Sequence, residues 1–234
     1  LLTEMDGFGG PTLRPVVLLA ATNMVDLLDQ ALLRRFDRVI EVPPPDRAAR
    51  DGYLRHELLS RQLSEVSEKV IDSIAGRSAG MTIADLRGII NEAAVMAARE
   101  GSPLTDEILE EAFEKIRMGE AKKTPDAETL ERIARHEAGH ALIGWLTGNP
   151  PVQVTIVGRG SAGGYVEREA QEDKLIYTRS ELEQMICQAM GGRAAELLYY
   201  GDADGLSTGV ASDLKSATGW ANRMIREFGM SEEI

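Results

Sequence analysis

The pentapeptide His136-Glu137-Ala138-Gly139-His140 sets two imidazoles four residues apart around a glutamate. On a helix both histidines project from one face, about one turn apart, where they can hold a single zinc ion with Glu137 beside its open position. The chemistry open to such a trio is zinc-assisted hydrolysis of a peptide bond, the carboxylate accepting a proton from the attacking water. Two of the five positions are free, so the pattern also arises by chance on ordinary helices, and the flanking sequence has to decide.

Upstream, Thr124-Pro125-Asp126 has the form of an N-cap, a first-turn proline and a first-turn acid; downstream, Gly148-Asn149-Pro150 is a stop. The helix predicted between them runs for about six turns. Its apolar stripe passes through Leu130, Ile133, Ala134, Ala138, Ala141, Leu142 and Trp145, and His136, Glu137 and His140 fall on or beside that stripe. The polar trio is therefore expected to point inward. Burying a carboxylate and two imidazoles is costly unless each is paired or bound to metal, which favours a metal site. A buried His and Glu that satisfy each other is the alternative.

Composition narrows the remaining classes. A chain of 234 residues can bury a substantial core and suggests two domains. A formal charge of -12 leaves no basic face for a phosphate backbone, so nucleic acid is not expected as a partner. The apolar run Val16 to Ala21 falls far short of the roughly twenty residues of a membrane helix, and the chain reads as soluble. Cys187 is the single cysteine; it sits in an apolar helical pattern and is expected to be a buried thiol in a reducing compartment. No charged-then-apolar leader follows Leu1, so the chain reads as starting inside a longer protein.

The elements that would position the site divide the chain. Residues 1–46 show α/β punctuation: a buried strand from Val16 to Ala21, a short helix around Leu27 to Arg35, and a second strand from Arg38 to Val42 stopped by three prolines. Residues 47–118 read as a small helical domain, with helical spacing over Leu54 to Leu63, Val66 to Ala75, Ile83 to Ala98 and Leu104 to Ile116. Residues 119–123 read as a linker and 124–234 as a second, mainly helical domain. In it, strands Val152 to Val157 and Tyr165 to Val166 flank a glycine-rich turn, and helices follow from about Ser180 to Tyr200 and Asp213 to Phe228. The edge of the first strand is expected to take an extended peptide by strand addition.

Three separated stretches resemble one family, the FtsH-type ATP-dependent zinc metalloproteases, in which an AAA+ ATPase module is joined to a zinc peptidase domain. The first is Leu1 to Phe8 followed by Ala20-Ala21-Thr22-Asn23 and Ala31 to Arg38, similar to the later half of the ATPase core. The second is Asp85-Leu86 through Asn91-Glu92-Ala93-Ala94, similar to its helical lid. The third joins His136 to His140 with Gly191 to Glu196 and Ser207 to Leu214, similar to the peptidase. The fold so implied is an α/β remnant of an AAA+ core plus a helical lid, then a mainly α-helical zinc peptidase domain with a small β-sheet.

By this resemblance Asp213 is the third zinc ligand and Glu137 the general base; on its own, Asp213 also suits the start of a helix. Glu196 either orients a zinc-bound histidine or pairs with Arg193. Asn23 resembles the ATPase sensor, and Arg35 and Arg38 the arginine fingers that reach a neighbouring subunit's ATP. Two departures accompany the likeness: the Pro-Gly pair usual between the arginines matching Arg34 and Arg35 is missing, and Met81-Thr82-Ile83-Ala84 replaces a Phe-Ser-Gly-Ala type of turn. No G-x-x-x-x-G-K-[ST] occurs, so ATP hydrolysis is not expected from this chain alone. The resemblance implies Zn²⁺ here and ATP with Mg²⁺ in the intact protein. It also implies unfolded or membrane proteins as substrates, a hexameric homo-oligomer, and a membrane anchor with this portion on the cytoplasmic or equivalent organelle side. The competing reading is a proteolytically inactive scaffold or chaperone subunit.

Overall fold

The computed structural model describes residues 17–60, 65–170 and 174–231, apart from the side chains of 202–204. The chain forms two units, Leu1–Pro43 and Pro44–Ile234. In the described part of the first unit, a 3-10 turn at Val25–Leu27 is followed by the short helix α1, Gln30–Leu33, whose N-cap Asp29 accepts from the Ala31 N–H at 2.8 Å.

The strands expected over Val16 to Ala21 and Arg38 to Val42 are not found: described residues 17–21 and 38–42 are coil. Val17, Leu19, Ile40 and Val42 are 79, 90, 78 and 86% exposed. The reason is pairing. An apolar run becomes a buried strand only beside another strand and beneath a covering layer, and among the described residues neither segment has such a neighbour. Val16 itself lies outside the described residues. The helix expected over Leu27 to Arg35 shrinks to the 3-10 turn and α1.

The second unit is mainly helical. Four helices come first: α2, Arg47–Ser60; α3, Glu68–Arg77; α4, Ile83–Glu100; and α5, Asp106–Met118. Three begin on hydroxyl caps, Ser67, Thr82 and Thr105, and Thr82 with Asp85 forms a reciprocal capping box. Their apolar stripes converge on one core, in which Leu54, Ile74, Leu86, Ile89, Ile90, Leu109 and Phe113 are fully buried. Arg50 is buried with them because its guanidinium donates to the backbone carbonyls of Pro45 and Ala75.

Residues 119–123 are tied down rather than free, since Lys122 N–H donates to the Gly158 carbonyl at 2.7 Å and Ala121 bridges Arg159. The motif helix α6 spans Ala127–Leu146. Its N-cap is Asp126, not Thr124, because the Asp126 carboxylate takes the Thr129 N–H at 2.9 Å. After the helix, Gly148 adopts φ +75° and turns the chain into β1. Strands β1, Pro151–Thr155, and β2, Tyr165–Arg168, form an antiparallel hairpin with a register irregularity between Pro151 and Gln153. Helix α7, Arg179–Asp204, breaks at Gly201, and α8, Ala211–Arg226, follows a 3-10 turn at Thr208–Val210. Among the described residues no helix is long and apolar enough to cross a membrane.

Helix α7 starts on a capping box in which Glu181 accepts from the Thr178 N–H and from Lys174. Those contacts, Lys174 foremost, lower the Glu181 carboxyl from 4.5 to about 2. Because the folded value is depressed, the stabilisation is complete above pH 4.5 and is lost as pH falls toward about 2. Thermal melting of the wild-type chain and Glu181→Gln across that range is therefore expected to show a gap at neutral pH that closes on acidification.

Candidate metal centre

The site is built where α6 crosses α7. Gly139 lies at the crossing, and a Cβ placed there would stand 2.7 Å from that of Ala195, so the glycine in the middle of the motif lets the two backbones touch. The consequence is seen on either side of it. The His140 Nδ1–H donates to the Gln188 carbonyl of α7 at 2.8 Å, and His136 Nδ1 meets the Glu196 carboxylate of α7 at 2.7 Å. Both histidines therefore offer Nε2 to the same point.

Asp213 reaches that point from the first turn of α8. Its Oδ2 lies 3.0 Å from His136 Nε2 and 3.2 Å from His140 Nε2, and the two nitrogens are 3.1 Å apart. A tetrahedral zinc with bonds of about 2.0–2.1 Å needs ligand atoms roughly 3.3 Å from one another, which is close to this triangle. With both Nδ1 atoms donating outward, the inner corners are two imidazole lone pairs and a carboxylate oxygen. Three acceptors facing one another within hydrogen-bond distance repel unless a cation lies among them. The residues present thus fit a zinc ion. Gly192 forms the floor beneath it, since a Cβ there would stand 2.6 Å from His140 Nε2.

Electrostatics follow the same contacts. Burial would push the Asp213 carboxyl up, but the His136 and His140 imidazoles beside it bring it down to about 2, and the α8 N-terminus favours its charge. Glu196 is 1% exposed; burial again opposes ionisation, and His136 together with the Ser207 N–H and hydroxyl lowers its pKa. Glu137, 7% exposed, is raised above the ordinary carboxylate value by burial, an effect that His136 and His140 oppose. It lines an open cleft of about 930 Å³ together with both histidines, Asp213 and residues 161–166.

His136, Glu137, His140, Asp213 and Glu196 are thus brought together. Of the two partners expected for Glu196, His136 is the one it meets, at 2.7 Å, and among the described residues no hydrogen bond or ion pair links it to Arg193. Asn23, Arg35 and Arg38 belong to the first unit and are exposed. Three expectations are corrected by the packing. The stripe on α6 is not its buried face: Leu130, Ile133, Ala134 and Ala141 are half-buried, Ala138 is exposed and Leu142 and Trp145 are 59 and 70% exposed, while the buried residues are His136, Glu137, His140 and Gly144. The cleft is lined by the turn and β2, not by β1. Cys187 is exposed, because α7 buries its face through Leu182, Gln188, Gly191, Gly192 and Glu196. Sequence reasoning also missed Gln188, which acts through a backbone carbonyl that carries no side-chain signal, and Ser207, whose only signal is the Ser-Thr-Gly lead-in to α8.

Residues 123–234 match the family model described as Peptidase family M41, and residues 1–44 match that of the ATPase family associated with various cellular activities. Among curated proteins, the chain is 44% identical over 242 residues to the ATP-dependent zinc metalloprotease FtsH 2 of Symbiobacterium thermophilum, covering 100% of this chain and 40% of that protein. It is 43% identical over 241 residues to the ATP-dependent zinc metalloprotease FtsH of Mycobacterium tuberculosis, and 41% identical over 241 residues to that of Aquifex aeolicus. All of this chain is covered in both cases, with 31 and 37% of the relative. The chain therefore spans two fifths or less of the length of these relatives.

Two substitutions test the centre from beneath and behind. Glu196→Gln is expected to lower zinc affinity about 10–100-fold by loosening His136, and Gly192→Ala to abolish stoichiometric binding by pushing the histidines off the common point. Zinc titration against a competing chelator, with circular dichroism to show retained helix, reads both.

Proposed function

We propose that this chain, which belongs to the FtsH-type zinc metalloproteases, is the proteolytic part of an ATP-driven protein-degrading machine and cleaves peptide bonds within polypeptides. The observation that carries the reading is the convergence of His136 Nε2, His140 Nε2 and Asp213 Oδ2 on one point beside the buried Glu137. Zinc held by these three residues supplies Lewis acidity toward a water and toward the scissile carbonyl oxygen.

The chain's own residues do the rest. Glu137 accepts the proton of the attacking water as that oxygen bonds to the carbonyl carbon, and delivers it to the amide nitrogen as the C–N bond breaks. Its raised pKa suits a group that must both take and give a proton. Glu196 and the Gln188 carbonyl fix the ring orientation of the two histidines, so that the Nε2 lone pairs stay directed inward. An extended substrate lies in the cleft along the turn and β2, where backbone pairing binds with little side-chain selectivity. That suits unfolded or membrane proteins fed to the site by a hexameric ring.

In the whole protein, ATP and Mg²⁺ bind at an ATPase module. Residues 1–46 are a remnant of that module's core, in which Asn23 is the sensor and Arg35 and Arg38 are the fingers, and the α2–α5 bundle is its lid. A membrane anchor places this portion on the cytoplasmic or equivalent organelle side.

Glu137→Gln separates this function from a scaffold role. The variant is expected to keep its zinc while cleavage of a fluorogenic peptide drops about 10²–10⁴-fold; cleavage at the wild-type rate would overturn the mechanism.

A further inference from the structure

Strand β2 is packed on both faces, and the two faces answer to different halves of the unit. Residues of a strand alternate. Tyr165 and Glu167 turn toward the four-helix bundle, while Arg168 turns toward the motif helix and donates to the His140 carbonyl at 3.0 Å. On the bundle side the contacts form one network of charged groups. Arg77, at the end of α3, donates Nε to Glu167 at 2.6 Å and pairs with Glu110 at 2.6 Å and with Glu114 on α5. Its side chain is 4% exposed, and those of Glu114 and Glu167 are 6 and 10% exposed. Arg117 also pairs with Glu167, the Tyr165 hydroxyl donates to Glu114, and Arg77 donates to Gln153 of β1. Phe113 lies under both guanidiniums, with ring distances of 4.8 and 4.9 Å.

Buried groups of this kind have few alternatives. Burial works against the Arg77 charge, yet Glu110 and Glu167 more than restore it, and the Tyr165 phenol is pushed up by burial and then by Glu114. A shift of the bundle relative to the hairpin would leave charges buried and unpaired, so the two move together. At the other side of the strand the cleft begins at once: a Cβ on Gly164 would lie 3.0 Å from Cγ of Glu137. The element that edges the substrate cleft is thus held from below by the bundle.

We propose that Tyr165 and Glu167, clamped by Glu114 and by Arg77 with Arg117, are positioning residues through which the four-helix bundle sets the place of β2 against Glu137 and so governs how polypeptide substrate binds. The inference rests on the peptidase reading above, and it gives any movement of the bundle a route to the cleft that leaves the metal ligands untouched.

The test compares the zinc-loaded 234-residue chain with Tyr165→Phe and Glu167→Gln, reading amide hydrogen exchange at residues 165–168 and hydrolysis of a fluorogenic peptide. Expected in either variant are exchange about tenfold faster over those residues and KM raised about fivefold, with kcat within about twofold and zinc content unchanged. Wild-type exchange and KM in a folded variant would overturn the proposal, as would a joint loss of zinc and kcat, which marks a merely structural role. Tyr165→Phe removes a single oxygen and keeps the test open should Glu167→Gln not fold. Cleavage that survives Glu137→Gln at the wild-type rate would sink the peptidase reading instead, and the exchange measurement then still decides whether the clamp holds β2.

Discussion

Three acceptors that face one another at about 3 Å cannot be left alone, and this constraint organises the C-terminal half of the chain. Helix α6 supplies two of them one turn apart, but their direction depends on what lies behind each ring. The Gln188 carbonyl and the Glu196 carboxylate take the outer nitrogens, and both stand on α7. The contact between α6 and α7 must therefore be close enough for a ring to reach across, which is why a glycine lies at the crossing.

The same half of the molecule has little else to hold it. Among the described residues, the buried apolar side chains outside the four-helix core are Leu182, Ala217 and Met224, while His136, Glu137, His140, Gln188 and Glu196 are buried beside them. A core of that composition gains stability from satisfied polar groups and from metal rather than from aliphatic area. Glu196 shows the economy of the arrangement. One carboxylate orients His136, holds the Ser207 lead-in that carries Asp213 into place, and meets Arg132 at 3.4 Å. The N-terminal helices of the unit contrast with this, being held by Leu, Ile and Phe packing of the usual kind, and the two styles meet at β2.

The parts that were legible in the sequence are those set by local period and capping. The four helices of residues 47–118 and the helices at the zinc motif and beyond it are found with ends within a few residues of the expected ones, except α2, expected from Leu54 but beginning at Arg47. His136, Glu137 and His140 are buried as expected, but not for the reason of the stripe beside them, whose residues are half-buried or exposed. What failed was nonlocal. The runs at 17–21 and 38–42 have strand composition but no partner strand among the described residues. Trp145 and Leu142 belong to the apolar stripe by spacing, yet the neighbours of α6 take a different face at that end of the helix. Cys187 was misplaced for the same reason.

Sequence by itself determined which groups could do chemistry: a His-Glu-x-x-His pentapeptide fixes two imidazoles and a carboxylate on one helical face, because helical geometry is local. Spacing could not supply the third corner. Asp213 lies 73 residues beyond His140, and only a resemblance pointed to it until tertiary packing brought its oxygen within 3.2 Å of that ring. The tertiary structure alone decided which nitrogen of each histidine faces inward, that Glu196 serves His136 and not Arg193, and that β2 is the strand edging the cleft. Each depends on the distance between segments far apart in the chain, and such distances are set by how glycine-lined helices and a two-faced strand pack.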